Sequence, residues 1–261
     1  MLNRVVSPPA TGPGSARVVL VHGFTQTHRS WDEVAEALAR CFEVVRVELP
    51  GHGGSAGVRL GFEAAAAAVA EAGGGPATYV GYSMGGRLCL RLALDHPHLV
   101  ESLVLVGASP GIADDEARQE RCRSDALLAG DLERGETREF LKAWLAQPMF
   151  EATTPRPEEL AARRANPPEG LAAALRDLGT GSQEPLWHRL GELAGPVLLV
   201  AGEKDAKFRA IAEKMAAAIG PGATTAWVEG AGHAVPLDRP RECAALIAGA
   251  ASATPASARP A

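Results

Sequence analysis

The stretch YVGYSMGGR, residues 79–87, decides how this chain is to be read. Within it, Gly81-Tyr82-Ser83-Met84-Gly85 has the form G-x-S-x-G, preceded by an apolar run and followed by a helical pattern, MGGRLCLRLALDH (84–96). In that context the glycines permit the close approach and strained backbone of a strand–turn–helix elbow, which lifts the serine hydroxyl to the carboxyl edge of a sheet. A hydroxyl so placed either attacks a carbonyl or takes up a proton, and both tasks need a base beside it.

Short apolar runs bounded by glycine or proline recur on either side of the elbow, at 17–23, 42–51, 77–83, 103–111, 196–205 and 225–233. Continuous Val and Leu enrichment without alternation is the pattern of strands buried on both faces of a parallel sheet. Helical stretches lie between most of them, at 31–41, 62–72, 84–96 and 208–219. Alternation of this kind predicts right-handed crossovers and an α/β fold, its mostly parallel sheet covered by helices on both faces. The alternation breaks at 110–193, where charged, mostly helical segments are interrupted by QPMF and NPPEG. So long an insertion reads as a helical lid dividing one core into 1–109 and 194–247. The alanine-rich tail 248–261 has little to bury and is expected to fray.

Composition narrows the function. The net charge of −5 comes from 31 acidic and 26 basic residues mixed along the chain, with no basic run to track a phosphate backbone, so nucleic acid is not an expected partner. The four cysteines, Cys41, Cys89, Cys122 and Cys243, form no C-x-x-C pair, which argues against a metal knuckle or a disulfide framework and fits a reducing cytoplasm. No apolar stretch has signal-peptide or membrane-spanning length. A cytoplasmic monomer with one active site is the expectation.

A serine base or nucleophile needs a histidine and an acid, here placed after it in chain order. His233, in GAGHAVPLDRP after a late strand, fits this role, and Asp205 in AGEKD ends a core strand after PVLLV. Glu203 is a rival acid nearer the strand, whereas the strand LVLVGASPG ends without a carboxylate. The expected Ser-His-Asp triad is therefore Ser83, His233 and Asp205. Its oxyanion hole would use the amide after the serine, Met84, and one from the loop VHGFTQTHRSW (21–31), Phe24.

Other motifs carry less. LPGHGGSA (49–56) satisfies G-x-G-x-x-A, but Pro50 interrupts the strand exit and no helix starts at once to receive a pyrophosphate, so no dinucleotide is expected. His96-Pro-His98 is a helix end and not a metal pair. Arg87 lies one helical turn beyond Ser83, and the insertion adds RCRSD (121–125) and RRAN (163–166). Several guanidinium groups above a reactive serine would suit a substrate with several carboxylates, although each alone also reads as a solvated helix face. Trp144 and Phe150 read as core of the insertion or as pocket wall.

Through HGF, LPGHGGS, GYSMGG, GEKD and GAGH the chain resembles the α/β-hydrolase superfamily from about residue 17 to about residue 247. More narrowly, GYSMGGR, ASPG, RxRSD, FLxxWxxQPMF, GLAAALRDLGTGSQEPLW and GEKDxKF resemble the 2-succinyl-6-hydroxy-2,4-cyclohexadiene-1-carboxylate (SHCHC) synthase family of menaquinone (vitamin K2) biosynthesis. That resemblance implies a carbon–oxygen lyase without metal or cofactor. It would abstract a proton from 2-succinyl-5-enolpyruvyl-6-hydroxy-3-cyclohexene-1-carboxylate and release pyruvate, with Ser83 as base. It further implies that Arg87, Arg121 and Arg164 hold substrate carboxylates, with Arg123 a rival to Arg121, and that Tyr82, Trp144 and Phe150 line the pocket. Against the family pattern, the N-terminus reads as short of a first strand. The alternative is a serine hydrolase of esters, thioesters or carbon–carbon bonds on the same fold; a ligand-binding protein that keeps the fold only as a scaffold is a third.

Overall fold

A computed structural model describes residues 1–10, 12, 15–135 and 137–253. Seven strands form one sheet: β1 (Arg4–Ser7), β2 (Arg17–Val21), β3 (Glu43–Val47), β4 (Ala77–Tyr82), β5 (Val100–Val106), β6 (Val197–Gly202) and β7 (Ala223–Val228). Their order is β1-β3-β2-β4-β5-β6-β7, parallel throughout except for β1, which runs antiparallel to β3 with Val5 opposite Arg46. The N-terminus thus does supply a first strand. It is a four-residue edge strand whose side chains alternate between exposed and half-buried, so no apolar run marks it in the sequence.

Ten helices accompany the sheet among the described residues: α1 (Asp32–Leu38), α2 (Phe62–Gly73), α3 (Met84–Asp95), α4 (Asp115–Arg134), α5 (Thr137–Leu145), α6 (Pro157–Arg164), α7 (Pro168–Leu178), α8 (Ala206–Ile219), α9 (Val235–Asp238) and α10 (Pro240–Ser252). Successive strand residues point to opposite faces. Val18 and Leu20 of β2, with Val80, Val104 and Val200, pack against Val34 and Leu38 of α1 and Ile247 of α10. Val19, Val21, Tyr79, Leu103 and Leu199 pack on the other face against Val69 of α2, Leu88 and Leu92 of α3 and Met215 of α8. Both faces are dry, which is why the strands read as unbroken apolar runs; each buried Val or Leu contributes roughly 1.5–3 kcal/mol.

The segment between β5 and β6 holds α4 to α7. Asp114 caps α4 by accepting from the Ala117 amide at 2.8 Å, and the helix buries only the stripe Asp125, Ala129 and Leu132, one face of an otherwise solvated cylinder. α7 presents Leu171, Leu175 and Leu178 to the core. The tail expected to fray from residue 248 is instead helical to Ser252, with Ala251 buried against the sheet. Alanine is the strongest helix former and small enough to sit close to the strands. Residues 254–261 lie outside the described residues.

Candidate active site

The end of β4 turns into α3 at Ser83, whose φ of 51° and ψ of −110° lie outside the ordinary regions for a side-chain-bearing residue. Such a backbone costs on the order of 1–3 kcal/mol and persists only where its surroundings fix it. Here the Ser83 amide donates to Val106 of β5 at 2.9 Å, and the Ser83 carbonyl accepts from the Arg87 amide at 3.1 Å. A Cβ on Gly81 would collide with the Cα of Gly86, and one on Gly85 with the carbonyl of Val21, so both flanking glycines are required by backbone contact.

Two further strand ends supply the partners of the serine. Asp205, after β6, is the N-cap of α8: Oδ1 accepts from the Phe208 amide at 3.2 Å, while Oδ2 accepts from Nδ1 of His233 at 2.7 Å. That bond fixes the imidazole with its proton on Nδ1 and leaves the lone pair of Nε2 facing Ser83 Oγ at 3.2 Å. His233 is buried, its ring packed against Phe208 with centroids 4.4 Å apart and flanked by Tyr82 and Phe150. Gly107 leaves room for it, since a Cβ there would lie 2.9 Å from the His233 Cε1 atom. Glu203, the rival acid, is exposed and accepts from the Gly230 amide at 2.9 Å, away from the histidine.

The two residues whose amides were expected to bind an anion, Phe24 and Met84, line the same cavity as Ser83. Met84 opens α3, where a backbone N–H has no acceptor within the helix. Phe24 follows β2, and the peptide that carries its N–H is held from the carbonyl side: Gly23 O accepts from His22 Nδ1 at 2.8 Å and from the Gln26 amide at 3.2 Å. Nε2 of His22 in turn accepts from the Leu49 amide at 3.1 Å, and Nε2 of His52 accepts from the Thr25 amide at 3.1 Å. Burial holds these two imidazoles neutral. The pKa of His22 falls to about 3, with His52 beside it adding to the effect, and that of His52 falls to about 4.

Ser83 opens into a cavity of about 320 Å³ that Phe24, Tyr82, Met84, Arg87, Trp144 and Phe150 also line. Arg87 is buried and, among the described residues, bonds only neutral acceptors, Gln183 Oε1 at 2.8 Å and the Leu178 carbonyl at 2.6 Å. Burial, with the Arg121 charge nearby, lowers its pKa to about 9. Arg121 reaches the cavity paired with Asp125 at 2.8 Å, whereas its rival Arg123 is exposed and paired with Glu120. The third expected arginine needs correction: Arg164 is exposed, and Arg163 lines the cavity instead. Adjacent helical residues point about 100° apart, and the ion pair of Arg163 with Glu159, one turn back, turns that residue inward. Lys207 and Phe208 line the cavity as well, and the motif GEKDxKF, which contains both, is their signal in the sequence. Among the described residues no group of His, Cys, Asp and Glu could hold a metal ion, and no helix is long and apolar enough to cross a membrane.

A serine on a strand–helix elbow, hydrogen-bonded to a histidine and through it to an aspartate, all borne on the carboxyl ends of one parallel sheet, defines a class. Residues 18–246 match the alpha/beta hydrolase family, and the chain belongs to it. Within that family it is similar to 2-succinyl-6-hydroxy-2,4-cyclohexadiene-1-carboxylate synthase of Salmonella schwarzengrund (strain CVM19633), 33% identical over 237 residues covering 87% of this chain and 90% of the relative. It is equally similar to the putative synthase of that name from Bacillus subtilis (strain 168), 33% identical over 244 residues and 88% of each chain. Among solved structures it superposes on MenH from S. aureus with a TM-score of 0.88 at 29% identity, covering 95% of this chain and 97% of that one.

Proposed function

We propose that the protein is a pyruvate-eliminating lyase acting on 2-succinyl-5-enolpyruvyl-6-hydroxy-3-cyclohexene-1-carboxylate in menaquinone biosynthesis. The observation that carries this reading is Arg87, a buried guanidinium with no carboxylate in ion-pair contact among the described residues, in the wall of the cavity above Ser83. An unpaired buried cation is costly to the protein alone, and a ligand carboxylate would neutralise it. With Arg121 and Arg163 in the same wall, the cavity suits a ligand carrying more than one carboxylate, and its volume lies in the range of small-molecule sites, about 300–1,000 Å³. The similarity to proteins named 2-succinyl-6-hydroxy-2,4-cyclohexadiene-1-carboxylate synthase supports this substrate within that class.

In this reading His233 Nε2 receives the Ser83 proton as Ser83 Oγ takes one from the ring carbon next to the succinyl carbonyl. The electrons of that C–H bond form a double bond to the neighbouring ring carbon, the double bond already in the ring shifts by one position to complete the diene, and the carbon–oxygen bond to the enolpyruvyl group breaks with its electron pair leaving on oxygen. The departing enolate becomes pyruvate by taking up, at its methylene carbon, the proton left on His233. The amides of Phe24 and Met84 hold the charge that builds on the succinyl carbonyl oxygen. Proton transfer of this kind calls for no cofactor, and the reading is of a monomeric, cytoplasmic enzyme.

The test supplies purified protein with the enolpyruvyl intermediate generated in place and follows pyruvate and the diene chromophore together. Stoichiometric release of both, lost by at least about 10³-fold in Ser83→Ala, is the expected outcome. Release at the rate of an enzyme-free control overturns the reading, and turnover of an ester or thioester with an acyl-enzyme burst would assign the site to hydrolysis.

A further inference from the structure

We infer that Thr25 is a positioning residue through which the inserted segment aims the Phe24 amide at the reacting carbonyl. The inference rests on the reading that this amide stabilises negative charge. Apart from Ser83, Thr25 is the one residue other than glycine with positive φ among the described residues, at 66°. A left-handed backbone is unusual for any side-chain-bearing residue and most unfavourable for a β-branched one. It is buried, and each of its polar atoms is engaged: the N–H with His52 Nε2 at 3.1 Å, the carbonyl with Asn166 Nδ2 at 2.8 Å, and Oγ1 with Arg163 Nη1 at 2.8 Å.

Two of those three partners come from the insertion, not from the core. Arg163 is the last-turn residue of α6 that also lines the cavity, and Asn166 lies just beyond that helix. Asn166 is itself fixed, its Oδ1 accepting from the Gly53 amide at 2.8 Å and its carbonyl from Thr137 Oγ1 at 2.9 Å. Glu159 ties the same helix to the loop a second time, through Ser30 Oγ at 3.0 Å. If the grip on Thr25 were released, its φ would relax toward negative values. Because peptides are planar and trans, that relaxation swings the Phe24–Thr25 peptide as a unit, and the Phe24 Cα at its far edge moves with it, re-aiming the N–H of the preceding Gly23–Phe24 peptide that is bonded to that Cα. The core contacts on Gly23 O fix one side of Phe24, and the insertion, through Thr25, fixes the other. A guanidinium in the cavity wall is thereby linked to the Phe24 amide through one hydrogen bond, Arg163 Nη1 to Thr25 Oγ1, and the Thr25 backbone.

The test uses the full chain. Thr25→Val keeps the shape and removes the acceptor for Arg163, Asn166→Asp replaces the donor to the Thr25 carbonyl, and Thr25→Ser retains the hydroxyl. Expected are a fall in kcat of about 10–100-fold in the first two with KM changed by less than about threefold, and near-normal kcat in Thr25→Ser. The backbone 15N–1H resonance of Phe24 should shift in the first two variants and stay in place in the third. A lower melting temperature with unchanged kcat per folded molecule, or a rise in KM alone, overturns the inference, as does an unmoved Phe24 resonance. If the unsubstituted protein releases no pyruvate, the lyase reading fails, and the Phe24 resonance still decides whether Thr25 positions the amide.

Discussion

Arg87 donates to the side-chain oxygen of Gln183 at 2.8 Å, so a buried cation is held in place by a neutral group. The arrangement fixes the direction of the guanidinium without neutralising its charge. Truncating Arg87 to Ala is expected to lower kcat/KM for a polycarboxylate by about 2–4 kcal/mol, the worth of a buried charged hydrogen bond. Arg87→Lys should recover little, because an ammonium cannot reach Gln183, the Leu178 carbonyl and a carboxylate together. Steady-state kinetics of both variants check this, and unchanged kcat/KM in Arg87→Ala would remove the carboxylate role.

Neighbouring arginines on α6 should behave differently. Arg163→Met is expected to lower kcat/KM by at least about tenfold and to destabilise the fold by roughly 3–5 kcal/mol, because it leaves Glu159 charged and buried without its partner. Arg164→Met, on the exposed side, should stay within about twofold in kcat/KM and within about 0.5 kcal/mol in stability. Chemical denaturation and kinetics on the pair separate the two positions.

Asp205 and Glu203 offer a second contrast. Asp205→Asn keeps the shape but presents an amide to Nδ1 of His233, favouring the wrong tautomer, and kcat should fall by about 10³–10⁴-fold. Glu203→Gln retains an oxygen for the Gly230 amide and should leave kcat within about twofold. Equal losses in the two variants would return Glu203 to contention.

Stability should decline on mild acidification through His22 and His52. Their folded-state pKa values, about 3 and about 4, lie below the reference value of 6.5, so between those limits the unfolded chain binds more protons than the folded one. Unfolding free energy therefore rises with pH across this window. The stabilisation is complete above about pH 6.5 and is lost as pH falls, with a slope of up to about 1.4 kcal/mol per pH unit for each histidine. Glu48 acts in the same sense at lower pH. Burial alone would raise its pKa, but hydrogen bonds from His28, Asn3 and the Gly54 amide lower it to about 2. Urea unfolding from about pH 7 to about pH 4.5 measures the slope, and His52→Asn should flatten it.

Much of the fold was legible because its signals are local. Six strands announce themselves as apolar runs, and Ser83 is flagged by glycines whose Cβ atoms would strike backbone. That Ser83, Asp205 and His233 meet could be anticipated as well, since each follows a strand and parallel strands bring their carboxyl ends to one edge. What stayed hidden depends on phase and on distant partners. β1 has no apolar face of its own. Which of two adjacent arginines faces inward is set by helix phase, and the available clue was the i,i+4 spacing of Glu159 and Arg163. The left-handed Thr25 is invisible in VHGFTQTHRSW, because three residues from elsewhere in the chain impose it.

The insertion leaves the core after β5 and returns at β6, and those two strands are immediate neighbours, Leu103 lying opposite Val197. The pairing of the sheet is therefore indifferent to what the chain does in between, and descendants of such an ancestor could trade one excursion for another without refolding the layers of hydrophobic contacts on its two faces. Here the trade would carry a condition: a grafted segment that brought new specificity but nothing in place of Arg163 and Asn166 would inherit a reactive serine beside a slack Phe24 loop.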